Sequence, residues 1–515
     1  MHRKPLAVFR CDAGASIGGG HVVRCSALAD ALVRDGWLVG FAVSNETLDI
    51  AVGLSSQYRV AAGYPVRAGQ AARLLRDFGA KIDLVVVDHY GIDIAVEAEI
   101  RSACDRLMVI DDKPGRNHDG DLLLDYSIGR RSGDYESGVP LGCNVFAGAD
   151  FALLRDAFRA ARLAAPSGRM PVPDLREGRI VVALGLADGD NVTETVLRGL
   201  AEWGFVGRLD VVLGAGAPHR LAIERLVGAH QGAGRFHPGL DANGMAVLLS
   251  AADLVIGAAG TSTMERLCLG RASLVVMMAE NQRDNYDAVL SLAAARGLGD
   301  WRDLSPGIVS TRLGEIGTGD VETMQQAAFQ VVDGLGAARV ALALRPEIAR
   351  DGRVVSLRRA TAADAEMLYR WQLEPATRAY ARSRDLPTFE SHVAWLERRL
   401  AMPRSIFNIV LVDGEPAGVV RLDSLGEEEK TTDAYEVSIH IAERFHGQGS
   451  ALAALSLARR LVPDADIHAG VLQENRASSA LFTKAGYTLL SVRRDEGREL
   501  RFVSRPSDAI SPNSL

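Results

Sequence analysis

The sequence predicts two doubly wound α/β lobes followed by a separate α+β domain. Three observations predict this arrangement. Short runs rich in Val, Ile and Leu alternate with helical patterns through the first 335 residues, a Pro- and Gly-rich segment interrupts them near residue 165, and the pattern changes again near residue 350. Nearly unbroken apolar runs are typical of parallel strands buried on both faces, and their alternation with helices is typical of β-α-β folds.

The strands of the two lobes are predicted from these apolar runs. The first lobe has candidates at Leu6–Asp12, Leu38–Ser44, Leu84–His89, Leu107–Asp111 and Leu122–Tyr126, and the second at Ile180–Gly185, Leu209–Gly214, Asp253–Ala258 and Ser273–Met278. Apolar residues at helical spacing, as in Val22–Val33 and Thr193–Trp203, predict the helices between them.

A Pro- and Gly-rich segment separates the two lobes. It contains Pro166, Gly168, Pro171 and Pro173, and such clusters are typical of linkers. We therefore expect a first lobe over residues 1–162, a linker over 163–177 and a second lobe over 178–335.

The last third of the chain has a different pattern. A strand at Val354–Arg358 precedes two helices, Ala362–Gln372 and Glu390–Leu400, and a meander of strands follows at Phe407–Val412, Pro416–Leu422 and Tyr435–Ile441. An Asp-Gly pair at 413–414 between apolar runs is a strong hairpin signal. We expect a linker over 336–352, an α+β domain over 353–505 and a tail over 506–515.

Composition limits the function classes. Of the 515 residues, 48% are hydrophobic and 24% charged, and the net charge is -7. A mildly acidic globular chain has no electrostatic reason to bind nucleic acid or an anionic membrane. The five cysteines form no CxxC pair, so no zinc spacing is present, and neither a signal peptide nor an apolar run of about 18 residues is found. We expect a cytoplasmic protein without a metal.

A Gly-rich loop with a histidine joins the first strand to the first helix. Residues 10–21 read RCDAGASIGGGH, and His21 stands where the loop becomes helix. Ligands of open α/β sheets bind at the carboxyl ends of the strands, and a histidine there is suited to general base work near neutral pH. The alternative interpretation is a Gly-rich turn with an incidental histidine. The glycine spacing does not fit the dinucleotide-binding fingerprint.

A second Gly-rich turn follows the strand at Asp253–Ala258. Residues 257–262 open a helix that contains Glu265, and Asn281 and Gln282 follow the next strand. Backbone N–H groups of such a turn can bind a diphosphate, and a carboxylate one turn into the helix can accept hydrogen bonds from ribose hydroxyls. A solvated helix residue is the alternative for Glu265, and a plain turn for 281–282.

The first module resembles the hydrolases that release UDP from UDP-2,4-diacetamido-2,4,6-trideoxy-β-L-altropyranose, a step toward pseudaminic acid. The matching pieces, in chain order, are RCDAGASIGGGHVVRCSALADAL from residue 10, VDHY at 87–90, Asp111-Asp112, 121–125, and GADFALLR at 148–155. The resemblance covers roughly residues 6–300. It implies a bilobal glycosyltransferase-B-like fold, and the second Gly-rich turn is similar to the UDP site of glycosyltransferases of the lipid II synthase type.

This resemblance implies roles for the site residues. His21 is the expected general base for water attack at the anomeric carbon, and Asn281 helps to hold the sugar. The expected substrate-binding residues are Arg10, Asp12, Gly20, Tyr90, Gly260, Thr261, Ser262, Glu265 and Gln282. Arg10 and Asp12 could instead hold the loop, and Tyr90 could be an interface tyrosine. The sequence departs from the family at Leu186, where a glycine is usual, and at Phe151, where a tyrosine is usual.

The third domain resembles the GCN5-related N-acetyltransferases (GNAT). Residues 444–450 (RFHGQGS) fit the pyrophosphate loop of that superfamily, and 475–487 (NRASSALFTKAGY) look like its C-terminal helix-and-strand signature. The resemblance implies acetyl-CoA as co-substrate. The expected acetyl-CoA-binding residues are Arg444, Gly447, Gln448, Gly449, Ser450 and Asn475.

The acetyltransferase needs a base for the attacking amine. Glu436 and His440 are the candidates, at alternate positions of one strand, and both stay open. Phe482 stands where many relatives place a tyrosine as general acid. Trp371, Arg378 and residues 392–396 (HVAWL) also resemble N-acetyltransferases of nucleotide-linked 4-amino sugars, although both tryptophans could be core residues.

Together the resemblances predict a bifunctional enzyme of pseudaminic-acid-type biosynthesis. It would acetylate a UDP-4-amino-4,6-dideoxy sugar with acetyl-CoA and release UDP from the diacetamido product. A UDP-sugar-dependent glycosyltransferase fused to an acetyltransferase is a second possibility, for which the first lobe shows no clear acceptor patch. A related pathway with a different 2,4-diacetamido sugar and a non-catalytic role for the first module also stay open.

Overall fold

The computed structural model describes residues 3–14, 17–51, 53–79, 81–164, 174–185, 187–380, 385–402, 404–425, 434–493 and 499–506. The chain divides into two compact units, Met1–Ala337 and Ala338–Leu515. Residues 165–173 of the expected linker, Leu186 and most of the expected tail lie outside the described residues.

The first lobe contains a seven-stranded sheet of parallel strands in the order β3-β2-β1-β4-β5-β6-β7. Its strands are β1 (Leu6–Cys11), β2 (Leu38–Ala42), β3 (Arg59–Ala61), β4 (Leu84–Asp88), β5 (Leu107–Ile110), β6 (Leu122–Asp125) and β7 (Asn144–Ala147). Its helices are α1 (Gly20–Arg34), α2 (Asn45–Ile50), α3 (Leu54–Gln57), α4 (Gln70–Phe78), α5 (Ile94–Arg101) and α6 (Asp156–Ala164).

The second lobe contains a six-stranded parallel sheet in the order β10-β9-β8-β11-β12-β13. Its strands are β8 (Arg179–Ala183), β9 (Arg208–Leu213), β10 (Gly234–Pro238), β11 (Leu254–Ala258), β12 (Ser273–Met277) and β13 (Arg296–Asp300). Its helices are α7 (Val192–Glu202), α8 (Arg220–Gly228), α9 (Ala242–Ser250), α10 (Ser262–Cys268), α11 (Arg283–Ser291), α12 (Pro306–Gly314) and α13 (Thr318–Val331). The central strands are buried, as the unbroken apolar runs predicted.

One helical stretch, Thr318–Leu344, is apolar and long enough to span a membrane by length and composition alone. The stretch is interrupted, because α13 ends at Val331 and α14 (Gly336–Leu344) begins after a break. Val321, Met324 and Ala328 pack into the protein, and 56% of the apolar window is buried. These features are those of core helices.

The C-terminal unit is built on an eight-stranded sheet in the order β14-β15-β16-β17-β18-β19-β21-β20. Its strands are β14 (Glu347–Ile348), β15 (Val354–Arg359), β16 (Ser405–Val412), β17 (Glu415–Ser424), β18 (Ala434–Ile441), β19 (Asp466–Leu472), β20 (Thr488–Arg493) and β21 (Glu499–Ser504). The remaining helices are α15 (Ala365–Leu373), α16 (Pro375–Ala379), α17 (Phe389–Ala401), α18 (Ser450–Leu461) and α19 (Arg476–Lys484).

The pairing of β18 with β19 is the one parallel pairing among the described strands of this sheet, and it is short. It joins 434–436 to 466–468 only, so the strands separate after Glu436. Two parallel α/β lobes followed by an α+β domain confirm the predicted fold class.

Candidate active sites

The histidine-bearing loop lies at the switch point of the first sheet. β1 pairs with β2 on one side and with β4 on the other, so the chain winds outward in both directions from this strand. A crevice outside the carboxyl ends of the strands forms at such a point. The second sheet repeats this arrangement, because β8 pairs with β9 and with β11. The Gly-rich turn after β11 stands at that second switch point.

His21 is held by a buried carboxylate. Nδ1 of His21 lies 2.6 Å from Oδ1 of Asp88, the last residue of β4. Arg24, one helical turn after His21, donates to both oxygens of Asp88 at 2.5 and 2.6 Å. Burial opposes ionisation of Asp88, but the charges of Arg24 and His21 outweigh it and hold the pKa of this carboxyl well below its usual range. Nη2 of Arg24 also lies 3.1 Å from Nδ1 of His21. In the tautomer whose Nδ1–H donates to Asp88, Nε2 of His21 carries the lone pair that a general base needs.

Tyr90 connects this site to the second lobe. Its ring packs edge-on against the His21 ring, with centroids 5.0 Å apart. Its hydroxyl donates to Oδ1 of Asp112 at 2.6 Å and is also hydrogen-bonded to the side chain of Asn281. Burial and the nearby Asp112 carboxylate raise the pKa of Tyr90. Two predicted residues, Tyr90 and Asn281, therefore meet beside a third, His21.

Arg10 and Asp12 form the interior of the first loop. Arg10 is fully buried, and its guanidinium contacts Oδ2 of Asp12 at 2.9 Å, Gln70 at 2.9 Å and the carbonyl oxygen of Pro65 at 3.1 Å. The other oxygen of Asp12 accepts from the backbone N–H of Ser44 at 2.6 Å. Of the two roles expected for these residues, the contacts favour holding the loop.

The two Gly-rich loops approach each other across the crevice. A Cβ on Gly20 of the first loop would lie 3.4 Å from Oγ1 of Thr261 in the second loop. Within the second lobe, a Cβ on Gly260 would lie 3.2 Å from Nε2 of Gln282. The side-chain oxygen of Gln282 accepts from the N–H of Met278, so this amide braces the turn.

Glu265 stands one turn into α10 without a partner. No hydrogen bond or ion pair joins its carboxylate to another described residue. Burial raises the pKa of Glu265 to about 7, although the adjacent Arg266 lowers it. Arg266 points back under the turn, where it donates to the carbonyl of Ala258 at 2.7 Å. Ser262 Oγ accepts a hydrogen bond from Arg266 at 3.1 Å, so this hydroxyl is partly used within the loop.

Further polar contacts join the two lobes, between the segment that follows β6 and helix α11. Arg130 of the first lobe forms an ion pair with Asp284 of α11, and the N–H of Ile128 lies 3.4 Å from Oδ1 of Asn285.

The C-terminal unit has a Gly-rich turn where β18 leads into α18. Gly447 and Gly449 have φ of +71° and +97°, and Gly449 is the residue before the helix. Of the predicted acetyl-CoA residues, Ser450 is buried with no hydrogen-bond partner for Oγ among the described residues. Arg444 is turned toward Glu415, at 2.8 Å, and Asn475 caps α19 by accepting from the N–H of Ser478 at 3.0 Å.

Two arginines beside this turn were not found by sequence reasoning. Arg350 donates to the carbonyl of Gly447 at 2.5 Å, and Arg353 hydrogen-bonds to the side chain of Gln448. Arg350 precedes the predicted domain and Arg353 is its first residue, so neither belongs to a recognisable motif. Their positive charge adds to the anion-binding character of a helix N-terminus.

The two predicted acetyltransferase bases lie on one strand. His440 is opposite Val419 and Glu436 is opposite Asp423 in the pairing of β17 with β18. Burial and the nearby His446 lower the pKa of His440 to about 4. Phe482 is buried against Tyr487 and Phe502, with ring centroids 5.1 and 6.1 Å away, and so serves the core.

The comparison with protein families decides the nature of the second unit. Residues 355–488 match the family model of the acetyltransferase (GNAT) domain. The C-terminal unit is a GNAT acetyltransferase domain. This match supports acetyl-CoA as the co-substrate predicted for this domain.

Three relatives are similar to larger parts of the chain. An uncharacterized protein of Methanocaldococcus jannaschii is 23% identical over 507 residues, 96% of this chain and 98% of that protein. The spore coat polysaccharide biosynthesis protein SpsG of Bacillus subtilis is 27% identical over 297 residues, 56% of this chain and 82% of that protein. The UDP-2,4-diacetamido-2,4,6-trideoxy-beta-L-altropyranose hydrolase of Campylobacter jejuni is 28% identical over 157 residues, 29% of this chain and 52% of that protein.

Among solved structures, MurG of Acinetobacter baumannii is 15% identical and covers 66% of this chain and 99% of its own, with a TM-score of 0.47. The fusion predicted from the sequence is confirmed: a bilobal α/β module precedes a GNAT domain, and the chain is similar to the Campylobacter hydrolase over 157 residues.

Proposed function

We propose that the chain catalyses two consecutive steps on one UDP-linked amino sugar. The GNAT domain acetylates the amino group of a UDP-4-amino-4,6-dideoxy sugar with acetyl-CoA. The bilobal module then hydrolyses the resulting UDP-2,4-diacetamido-2,4,6-trideoxy hexose to UDP and the free sugar. The observation that carries the hydrolytic half is the pair His21 and Asp88 at the switch point of the first sheet, facing a second Gly-rich loop.

The hydrolytic step follows from the positions of these groups. Water attacks the anomeric carbon while its proton passes to Nε2 of His21, and the bond between that carbon and the β-phosphate oxygen breaks. Asp88 stabilises the imidazolium that forms. Backbone N–H groups of the turn before α10 stabilise the charge on the departing UDP, and the unpartnered carboxylate of Glu265 accepts hydrogen bonds from the ribose.

The hydrogen-bonded chain from Asp112 through Tyr90 to Asn281 supports a role in holding the sugar. The Tyr90 ring covers one side of the base, and Asn281 brings the second lobe over the same place. This arrangement keeps the reacting carbon near His21 and excludes bulk water.

The names of two relatives support sugar chemistry, since one acts in spore coat polysaccharide biosynthesis and the other is a UDP-sugar hydrolase. The described cysteines are free thiols, which fits the reducing cytoplasm that we propose as its compartment.

One assay tests both halves. The full-length enzyme is incubated with the UDP-4-amino sugar, with and without acetyl-CoA, in water enriched in ¹⁸O. The masses of the products are then measured by mass spectrometry. We expect release of CoA and UDP that depends on acetyl-CoA, with the ¹⁸O in the sugar. Label in UDP would contradict attack at carbon, and acetylation without UDP release would contradict the hydrolytic half.

A further inference from the structure

Two buried polar atoms of the GNAT domain face each other without hydrogen-bond partners. They are Oε2 of Glu374 and Nε2 of His440, which lie 3.7 Å apart. Neither atom has a hydrogen-bond partner among the described residues. Since unsatisfied buried polar atoms are costly, a pair of them in one place points to a group that binds there.

The carboxylate of Glu374 is not used by its own helix. Glu374 precedes α16, and its backbone carbonyl accepts from the N–H groups of Thr377 and Arg378 at 3.0 Å. Its side chain makes no capping hydrogen bond. Burial raises the pKa of Glu374, the charge of Glu443 raises it further, and that of His446 lowers it.

His440 presents a neutral ring to this carboxylate. Its Nδ1 lies 3.2 Å from Oγ1 of Thr377, and its ring lies 5.9 Å from that of Trp371. In the tautomer whose Nδ1–H donates to the Thr377 hydroxyl, Nε2 carries a lone pair. Two acceptors then face the same point, and both require a donor.

We propose that Glu374 and His440 together bind the amino group of the acceptor substrate, as an ammonium, beside the thioester of acetyl-CoA. This inference rests on the acetyltransferase half of the proposed function and names its acceptor site. One nitrogen placed about 2.8 Å from each atom fits their separation. An ammonium has three hydrogens and can satisfy both acceptors, whereas a hydroxyl has one. The charge of Glu374 further selects a cation.

The pair is well placed for transfer of the acetyl group. β18 and β19 separate after Glu436, which leaves the edge of β18 near His440 open to an extended chain. The strand then leads directly into the Gly-rich turn that holds the pyrophosphate. A coenzyme bound at that turn can therefore lie along β18, with its thioester near His440.

The proton transfers balance as follows. The bound ammonium gives one proton to Glu374, and the free amine attacks the thioester carbonyl, forming the C–N bond. The tetrahedral intermediate collapses with cleavage of the C–S bond, and the second proton of the nitrogen goes to the leaving thiolate. Glu374 then returns its proton to solvent. Its raised pKa makes Glu374 a better acceptor than an ordinary carboxylate, while neutral His440 fixes the nitrogen.

Steady-state kinetics of full-length variants tests the pair. Wild type, Glu374→Gln, His440→Gln, the double variant and Glu436→Gln are compared by mass-spectrometric measurement of CoA release. The acceptors are the UDP-4-amino sugar, a 4-amino hexose without nucleotide, spermidine, a peptide with a free N-terminus and a hydroxyl analogue of the sugar. Glu366→Gln is the matched control, because Glu366 pairs with Arg370 on the exposed face of α15.

For the best amine acceptor, we expect Glu374→Gln to lower kcat/KM about 100-fold, by raising KM and lowering kcat, with acetyl-CoA affinity unchanged. The loss in the double variant should be smaller than the product of the single losses, because both residues hold one nitrogen. Glu366→Gln should match wild type. Wild-type activity on another amine but not on the UDP-sugar would contradict the proposed function. The variants would then be compared on that amine, which would still test the acceptor site.

Two results would overturn the site itself. One is a Glu374→Gln enzyme within threefold of wild type on the best amine. The other is a wild type that binds acetyl-CoA and acetylates none of the amines or prefers the hydroxyl analogue.

Discussion

Oδ1 of Asp88 lies 2.6 Å from Nδ1 of His21, although 67 positions separate the two residues in the chain. The register of the first sheet creates this contact, because β4 pairs with β1 and ends with Asp88 opposite Cys11, just before the His21 loop. A carboxylate in this position fixes the tautomer of the ring and stabilises its protonated form.

Asp88→Asn is therefore expected to lower UDP release about 100-fold or more, toward the loss caused by His21→Ala. A merely structural role would lower the affinity for UDP together with activity.

This substitution also leaves Arg24 buried beside a neutral side chain, which costs about 3–5 kcal/mol when a buried pair is broken. The melting temperature and the affinity for UDP are therefore measured on the same preparation. If UDP binding is retained and activity is unchanged, Asp88 has no part in the chemistry.

Tyr90 and Asn281 are expected to act as one unit. Tyr90→Phe removes the hydroxyl that joins Asp112 to Asn281 while keeping the ring against His21. We expect Tyr90→Phe and Asn281→Ala each to lower kcat/KM for hydrolysis about tenfold, as the loss of a hydrogen bond to a bound sugar would. In a double-mutant cycle, the combined loss should be clearly less than the product of the single losses. Fully multiplicative losses would show that the two residues act independently.

Glu265 couples ligand binding to stability. Its pKa is about 7 in the folded protein, above the ordinary value of 4.5, so the folded state binds the proton more tightly than the unfolded state. The unliganded protein therefore loses stability as pH rises from about 4.5 through 7, and Glu265→Gln should melt at a higher temperature than wild type at pH 8 but not at pH 4.

The same substitution should weaken UDP binding about tenfold or more, because a carboxylate accepts stronger hydrogen bonds from hydroxyls than an amide does. Calorimetry with UDP and thermal melts at the two pH values measure both effects. Glu280→Gln is the control, since Glu280 is paired with Arg283 on the surface. A Glu265→Gln protein that binds UDP as tightly as wild type would remove Glu265 from the nucleotide site.

The central strands of the two lobes and both of their Gly-rich loops could be predicted from the sequence, but the four edge strands of these lobes could not. β3, β7, β10 and β13 are partly exposed and include Arg, Asn, His or Gly, so they lack the apolar run that marks a strand buried on both faces. Pairing with one neighbour in the sheet defines them, and that pairing is not visible in local sequence.

The residues of the candidate sites also differ in whether the sequence could predict them. His21 and Glu265 were predicted because each stands in a motif at the end of a strand. Asp88 belongs to the VDHY motif at 87–90, yet its role depends on a side chain from another element. Glu374 carries no motif at all, and its importance arises from its distance to His440. The sequence pattern does not show which side chains from distant segments of the chain are in contact.

Two glycines of the turn that we expect to bind acetyl-CoA should differ in their response to a side chain. Gly447 and Gly449 both have positive φ, so alanine at either position is strained by about 1–2 kcal/mol. A Cβ on Gly449 would also lie 2.7 Å from the backbone nitrogen of Arg350, whereas a Cβ on Gly447 meets no atom within 4 Å. We therefore expect Gly449→Ala to weaken acetyl-CoA binding at least tenfold more than Gly447→Ala, as measured by calorimetry. Because the clash is with backbone, the turn must shift, and the N–H groups before α18 then no longer converge on the pyrophosphate. Equal losses for the two variants would show that backbone strain alone governs the turn and that the segment at Arg350 does not support it.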